Sequence, residues 1–113
     1  MLETGLNIIT QNLETMPNSP GIYKMLDKNK EFLYIGKAKN LRKRLISYTK
    51  INNLNPRIKK MVSLISSIEI NITKTEIEAL LLESNLIKKN KPRFNILLRD
   101  DKSFPYILLR KNH

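Results

Sequence analysis

The sequence predicts an α+β domain in which a small antiparallel β-sheet is flanked by helices, and three observations carry that expectation. Two short apolar runs, residues 21–26 and 32–36, are joined by Asp27-Lys28-Asn29-Lys30, a polar stretch of hairpin length. Ile68, Ile70 and Ile72 alternate with Glu69, Asn71 and Thr73, the period of a strand with one buried face. Around these segments apolar residues recur at steps of three and four, as in helices that pack on a sheet. The expected order is α-β-β-α-α-β-α-β-β.

The elements follow in turn. Leu2, Leu6, Ile9 and Leu13 lie at helical spacing, and the helix must stop before Pro17 and the breaker cluster Asn18-Ser19-Pro20-Gly21. After the hairpin, Asn40 is placed to cap a helix whose stripe is Leu41, Arg44, Leu45 and Tyr48, with Arg42 and Lys43 on the open side. Pro56 suits a first helical turn, and Ile58, Met61, Val62 and Ile65 form the next stripe. Thr75-Glu76-Ile77-Glu78 matches a capping box that opens a helix running to about residue 90, before Pro92. Residues 94–98 and 106–109 are apolar enough for two late strands, separated by Arg99-Asp100-Asp101-Lys102.

Composition bounds the function. The 113 residues suit one domain with one core. No apolar stretch approaches the roughly 20 residues that span a bilayer, so no membrane role is expected. The start, Met1-Leu2-Glu3-Thr4-Gly5, lacks the basic and continuously apolar pattern of a secretory signal, which makes the cytoplasm the expected location. Without cysteine, a metal can be held only by oxygen or by the lone His113. The net charge of +11 favours a polyanionic partner, because cationic side chains release counterions from phosphate backbones. No acidic residue falls between Phe32 and Ile68. Lys37, Lys39, Arg42, Lys43, Arg44, Lys50, Arg57, Lys59 and Lys60 all do. Charge alone leaves open a solvated face, an RNA-binding basic domain or a DNA-binding surface.

Two features go beyond packing. On a wheel of about 100° per residue, Ala79, Leu80, Leu86 and Ile87 flank Glu83 within roughly 60°, so a carboxylate sits on an apolar face. Burying it unpaired costs several kcal/mol, about what a cation, a metal or a set of donors must offset. A structural salt bridge and a metal site both remain open. Glu76 shares that face, at a helix N-terminus where its charge is favoured. Secondly, Tyr23, Tyr34 and Tyr48 fall near Lys37 and Arg44, cations that can lower a tyrosine pKa from its usual ~10.

Pro20-Gly21-Ile22-Tyr23, then Leu33-Tyr34-Ile35-Gly36-Lys37-Ala38-Lys39-Asn40-Leu41-Arg42-Lys43-Arg44, resemble the two halves of the GIY-YIG nuclease motif. Residues 75–89, Pro92-Arg93-Phe94-Asn95 and Asp100-Asp101-Lys102-Ser103-Phe104-Pro105-Tyr106 are similar to the N-terminal endonuclease domain of the UvrC family in particular. The resemblance runs from Met16 to the end. It implies the GIY-YIG fold over 1–113, with an N-terminal helix (1–16), a catalytic core (20–98) and a C-terminal strand segment (99–113). It implies that Tyr23 and Tyr34 bind or deprotonate the attacking water, with Lys37 lowering the tyrosine pKa. Arg44 and Tyr48 would hold the scissile phosphate, Asn95 would fix local geometry, and Glu83 would be the protein ligand of one Mg²⁺ or Mn²⁺ ion. Lys39, Arg42, Lys43, Lys50, Arg57, Lys59 and Lys60 would face DNA.

The family makes the 3′-side incision of nucleotide excision repair beside lesions exposed by UvrA and UvrB, so DNA and UvrB are the implied partners. Relatives of this kind continue into a UvrB-binding segment, an RNase H-like nuclease domain and helix-hairpin-helix motifs. An excised domain, a short separate protein and a gene remnant are all compatible with the sequence. A non-catalytic nucleic-acid-binding module keeps the basic face but gives Glu83 no task.

Overall fold

A computed structural model describes residues 2–99 of the chain. In order these form α1 (Leu2–Leu13), β1 (Gly21–Leu26), β2 (Phe32–Ala38), α2 (Leu41–Ser47), a 3-10 turn (Ile51–Asn53), α3 (Pro56–Ser63), β3 (Ser67–Ile72), α4 (Glu76–Asn90) and α5 (Arg93–Arg99). The strands make one antiparallel sheet in the order β2-β1-β3. β1 is the central strand, and five of its six residues are buried, as expected of a strand covered on both faces.

The side chains of β1 divide between two cores. Tyr23 and Met25 join Ile9 of α1, Leu41 and Leu45 of α2, and Met61 and Val62 of α3. Ile22 faces the other way and meets Ile35 and Ala79, under Leu82, Leu86 and Ile87 of α4. The sheet is thus sandwiched between α1–α3 and α4. Gly5 lets α1 lie directly on α3, since a Cβ there would sit 1.8 Å from the Val62 carbonyl oxygen.

Local signals perform as the residues require. The Asp27 carboxylate accepts from the backbone N–H of Asn29 (2.8 Å) and Glu31 (3.0 Å), and Lys30 takes a left-handed φ of 67° to close the hairpin. Asn40 caps α2 by accepting from the Lys43 N–H, and Asn55 caps α3 by accepting from the Ile58 N–H, with Pro56 in the first turn. Thr75 caps α4 through the Glu78 N–H, while Glu78 accepts from Lys74, one residue earlier than a strict capping box predicts.

The expected strand over residues 94–98 is instead helix α5. An apolar run this short carries no period that separates strand from helix, and packing decides: Phe94 and Leu98, one helical step of four apart, are buried, whereas Ile96 and Leu97 face out. The strand expected over 106–109, and Asp100 and Asp101, lie outside the described residues.

Candidate active site

β2 lies at an edge of the sheet, so its outward backbone groups need partners. They find them on α4 and α5. The Asn95 side chain accepts from the Ile35 N–H at 2.9 Å and donates to the Ile35 carbonyl at 2.9 Å, replacing a missing strand at that residue. Two residues on, the Lys37 N–H donates to Glu83 Oε2 at 3.0 Å. Asn95 thereby fixes the edge beside Glu83. Asn95→Ala leaves one donor and one acceptor of Ile35 exposed or unpaired, which should cost about 1–3 kcal/mol. Chemical denaturation should register that loss. A variant of parental stability would show that water replaces the clamp at no cost.

Glu83 is 5% exposed, in the stripe Ala79, Leu82, Glu83, Leu86 and Ile87 that α4 turns to the sheet. Leu80, expected on that face, is solvent-exposed. Among the described residues the ion pairs are Lys24–Glu69 and Lys39–Glu76, and none involves Glu83. Desolvation raises its pKa above the usual 4.5, opposed by the Lys37 charge, the Lys37 N–H bond and the Arg44 charge. A carboxylate held this way is neutralised by nearby cations without being closed off by one.

The tyrosines converge on the opposite side of β2. Tyr23 and Tyr48 share a hydroxyl–hydroxyl hydrogen bond of 2.7 Å, and the Tyr23 ring lies 6.1 Å from Tyr34 and 5.9 Å from Tyr48. Burial raises the Tyr23 pKa, with Arg44 and the Tyr48 bond opposing it. Burial also holds Tyr48 well above 10, reinforced by Tyr23 and Tyr34. The cation beside Tyr23 is Arg44, whose guanidinium is held firmly charged by that neighbour. Lys37, expected to acidify the tyrosines, is not among the influences on Tyr23 or Tyr48; its charge and its N–H bear on Glu83. Tyr23 and Tyr48 therefore remain protonated at neutral pH and serve as hydrogen-bonding groups.

Gly36 is a site residue that the sequence did not single out. It pairs with Tyr23 across the strands, and the Tyr23 ring lies over it. A Cβ at Gly36 would come within 2.5 Å of the Tyr23 hydroxyl oxygen and 2.6 Å of Cζ. The hairpin register was the available signal, because aligning the two halves sets a tyrosine opposite a glycine.

Beside this centre opens a groove of about 420 Å³ lined by Lys37, Lys39, Lys43, Arg44, Ser47 and Glu76. Four cations against one acid suit a phosphate chain. The other basic residues are divided. Arg42 is half-buried and donates from Nη1 to the Leu13 carbonyl, tying α2 to α1. Arg57 donates to the Leu97 carbonyl at 2.7 Å, tying α3 to α5. Lys50 and Lys60 are exposed and Lys59 is half-buried, and none of the three lines the groove. The stretch read as one basic surface is thus a groove plus two structural tethers and scattered cations.

A model of the UvrC-like GIY-YIG domain family matches residues 19–96. The chain is 55% identical over 109 residues, 96% of its length, to the UvrABC system protein C of Gluconobacter oxydans (strain 621H), and equally to that of Rhodospirillum rubrum. It spans 17% of the length of each. Among solved structures it is similar to the N-terminal GIY-YIG endonuclease domain of UvrC from Thermotoga maritima bound to its catalytic divalent cation, magnesium. Identity there is 35% and the TM-score 0.68, over 76% of this chain and 93% of that one. A point mutant of the same domain bound to its catalytic divalent cation matches with the same score and identity.

Proposed function

The chain belongs to the UvrC-like GIY-YIG domain family, homologous to the N-terminal endonuclease domain of UvrC, and from that membership we propose that Glu83, Arg44 and the three tyrosines form the centre of a divalent-metal-dependent DNA phosphodiesterase. The observation that carries this reading is Glu83. It is a buried carboxylate flanked by Lys37 and Arg44, with no ion-pair partner among the described residues.

The donor set fits Mg²⁺ or Mn²⁺. No cluster of three or more acidic or histidine ligands occurs among the described residues, and a single carboxylate suits one hard cation that keeps most of its waters. Glu83 would hold that ion, which supplies Lewis-acid charge at the scissile phosphate and the leaving oxygen.

The remaining work falls to the chain. Arg44, anchored against Tyr23, offers a fixed cation at the mouth of the groove for the phosphate and the charge that grows on it. Tyr48 and Tyr23, coupled hydroxyl to hydroxyl, hold Arg44 and each other in register. Tyr34 is the hydroxyl assigned to the attacking water, and Lys37 sets the charge balance at Glu83. In a full-length protein this module would make the 3′-side incision of nucleotide excision repair in the cytoplasm, loaded on damaged DNA by UvrB after UvrA. No helix among the described residues is long and apolar enough to cross a membrane.

The test is nicking of supercoiled plasmid by the purified chain with Mg²⁺ or Mn²⁺. Relaxed circles should accumulate only with metal, and faster as pH rises above the raised Glu83 pKa, because the ligand must be ionised and the water must lose a proton. Tyr34→Phe should nick at least ~100-fold more slowly, the usual scale for loss of one acid–base group. Metal-independent nicking, or a Tyr34→Phe variant at the parental rate, would remove the reading.

A further inference from the structure

A second groove, of about 440 Å³, lies at the other end of β2, lined by Asp27, Lys30, Glu31, Lys91 and Arg93 together with Phe32 and Leu33. The first groove takes its wall from Lys37 and Lys39 at the end of the strand, the second from Phe32 and Leu33 at its beginning. β2 has seven residues, so the grooves are about 20 Å apart at ~3.3 Å per residue. Asn95 bonds the strand between them, at Ile35, and Glu83 bonds it at Lys37 beside the first groove.

Three exposed cations line the second groove: Lys30 on the β1–β2 turn, and Lys91 and Arg93 at the α4–α5 junction. Against these stand Asp27, whose Oδ1 is occupied by the N–H groups of Asn29 and Glu31, and the exposed Glu31. Arg93 is braced over the Phe94 ring at 5.2 Å, and Lys91 is set by the left-handed turn that ends α4, φ 44°. None of these cations has a part in the chemistry assigned to the first groove.

We propose that the groove between the β1–β2 turn and the α4–α5 junction is a second DNA-phosphate site, which grips the backbone about six nucleotides from the scissile phosphate. At ~3.4 Å per nucleotide along one strand, 20 Å is about six steps. This rests on the reading of the chain as a DNA nuclease. The second site would fix the direction in which DNA crosses the β2 edge, and it would add affinity without touching the reacting atoms.

The experiment compares the parent with a Lys30→Asn, Lys91→Asn, Arg93→Gln variant on a 20-base-pair duplex by fluorescence anisotropy across a salt series. Asn is chosen at 30 and 91 because it tolerates the left-handed backbone. Three lost phosphate contacts should weaken binding at least tenfold at low salt. They should also flatten the log–log salt slope by about 2–3 units, at ~0.9 per contact. Plasmid nicking at saturating DNA should stay at the parental rate. Glu31→Gln, which removes an acid from the groove, should shift affinity the opposite way, and it serves as the independent arm if the triple variant folds poorly. Parental affinity and slope in the triple variant, or an unchanged Kd in Glu31→Gln, overturn the second site. If the parent itself nicks in metal, the nuclease reading survives that outcome; if the parent neither nicks nor binds DNA with a salt-dependent Kd, both fall.

Discussion

Glu83→Gln is expected to lose plasmid nicking by several orders of magnitude while DNA affinity stays near parental, because the side chain keeps its shape and loses only its charge. The affinity should persist since the groove cations Lys37, Lys39, Lys43 and Arg44 are untouched. Stability separates the two explanations left open by the helical wheel. Had Glu83 formed a buried ion pair, removing it would strand a cation and cost about 3–5 kcal/mol. No such pair occurs among the described residues, and desolvation is the largest influence on its pKa. In metal-free buffer near neutral pH the Gln variant should therefore melt at or above the parental temperature.

The sign of the pH dependence follows. The folded pKa lies above 4.5, so the folded state binds more protons than the unfolded one through that window, and this group's stability is present below 4.5 and lost as pH rises past the folded value. The advantage of Gln should vanish in acid and grow towards neutrality. Metal should invert the ranking: the parent should gain about 2.7 kcal/mol at metal 100-fold above Kd, and the variant none. Strong destabilisation of Glu83→Gln, with no metal-dependent stabilisation of the parent, would return Glu83 to a structural role.

That argument began from the helical wheel, which placed Glu83 correctly because α4 is long and its stripe regular. Its error at Leu80 arose because the sheet covers a narrower arc of the helix than the apolar residues occupy. Where the pattern was short, it failed: residues 94–98 carry no period, and only the packing of Phe94 and Leu98 made them helical. Asn95 illustrates what a motif leaves unsaid. The resemblance named it, but its work, bonding both backbone groups of Ile35, depends on β2 being an edge strand, and strand order is a long-range property. The charges were harder still. Arg42 and Arg57 read as surface cations, and each also gives one donor to a carbonyl near a helix end, with Arg42 half-buried and Arg57 exposed. At Tyr23 and Tyr48 the acidity expected from neighbouring cations is overridden by burial, which no count of nearby charges reveals.

The register of the hairpin yields the other large effect. Gly36→Ala should disable the site with less damage to the fold. The new Cβ would lie 2.5 Å from the Tyr23 hydroxyl oxygen, 2.6 Å from Cζ and 2.9 Å from Cε2 of Tyr34. A flexible side chain could move aside, but Tyr23 is a rigid, fully buried ring whose hydroxyl is bonded to Tyr48 at 2.7 Å. To relieve the clash it must tilt away, breaking that bond and loosening the contact through which Tyr23 braces Arg44. Overpacking of this kind costs about 1–3 kcal/mol, which a domain of ordinary stability, about 5–15 kcal/mol, survives. A shift of about 1 Å in a positioning group can lower catalysis by on the order of 100-fold. Gly36→Ala should thus remain folded by circular dichroism, melt several degrees lower, and nick plasmid at about 1% of the parental rate or less. The double variant Gly36→Ala/Tyr23→Phe is the diagnostic partner: it removes the oxygen at 2.5 Å but keeps Cζ at 2.6 Å, so it should regain only part of the melting temperature and little of the activity. Full activity in Gly36→Ala would mean that the Tyr23–Tyr48–Arg44 arrangement is not what holds the phosphate.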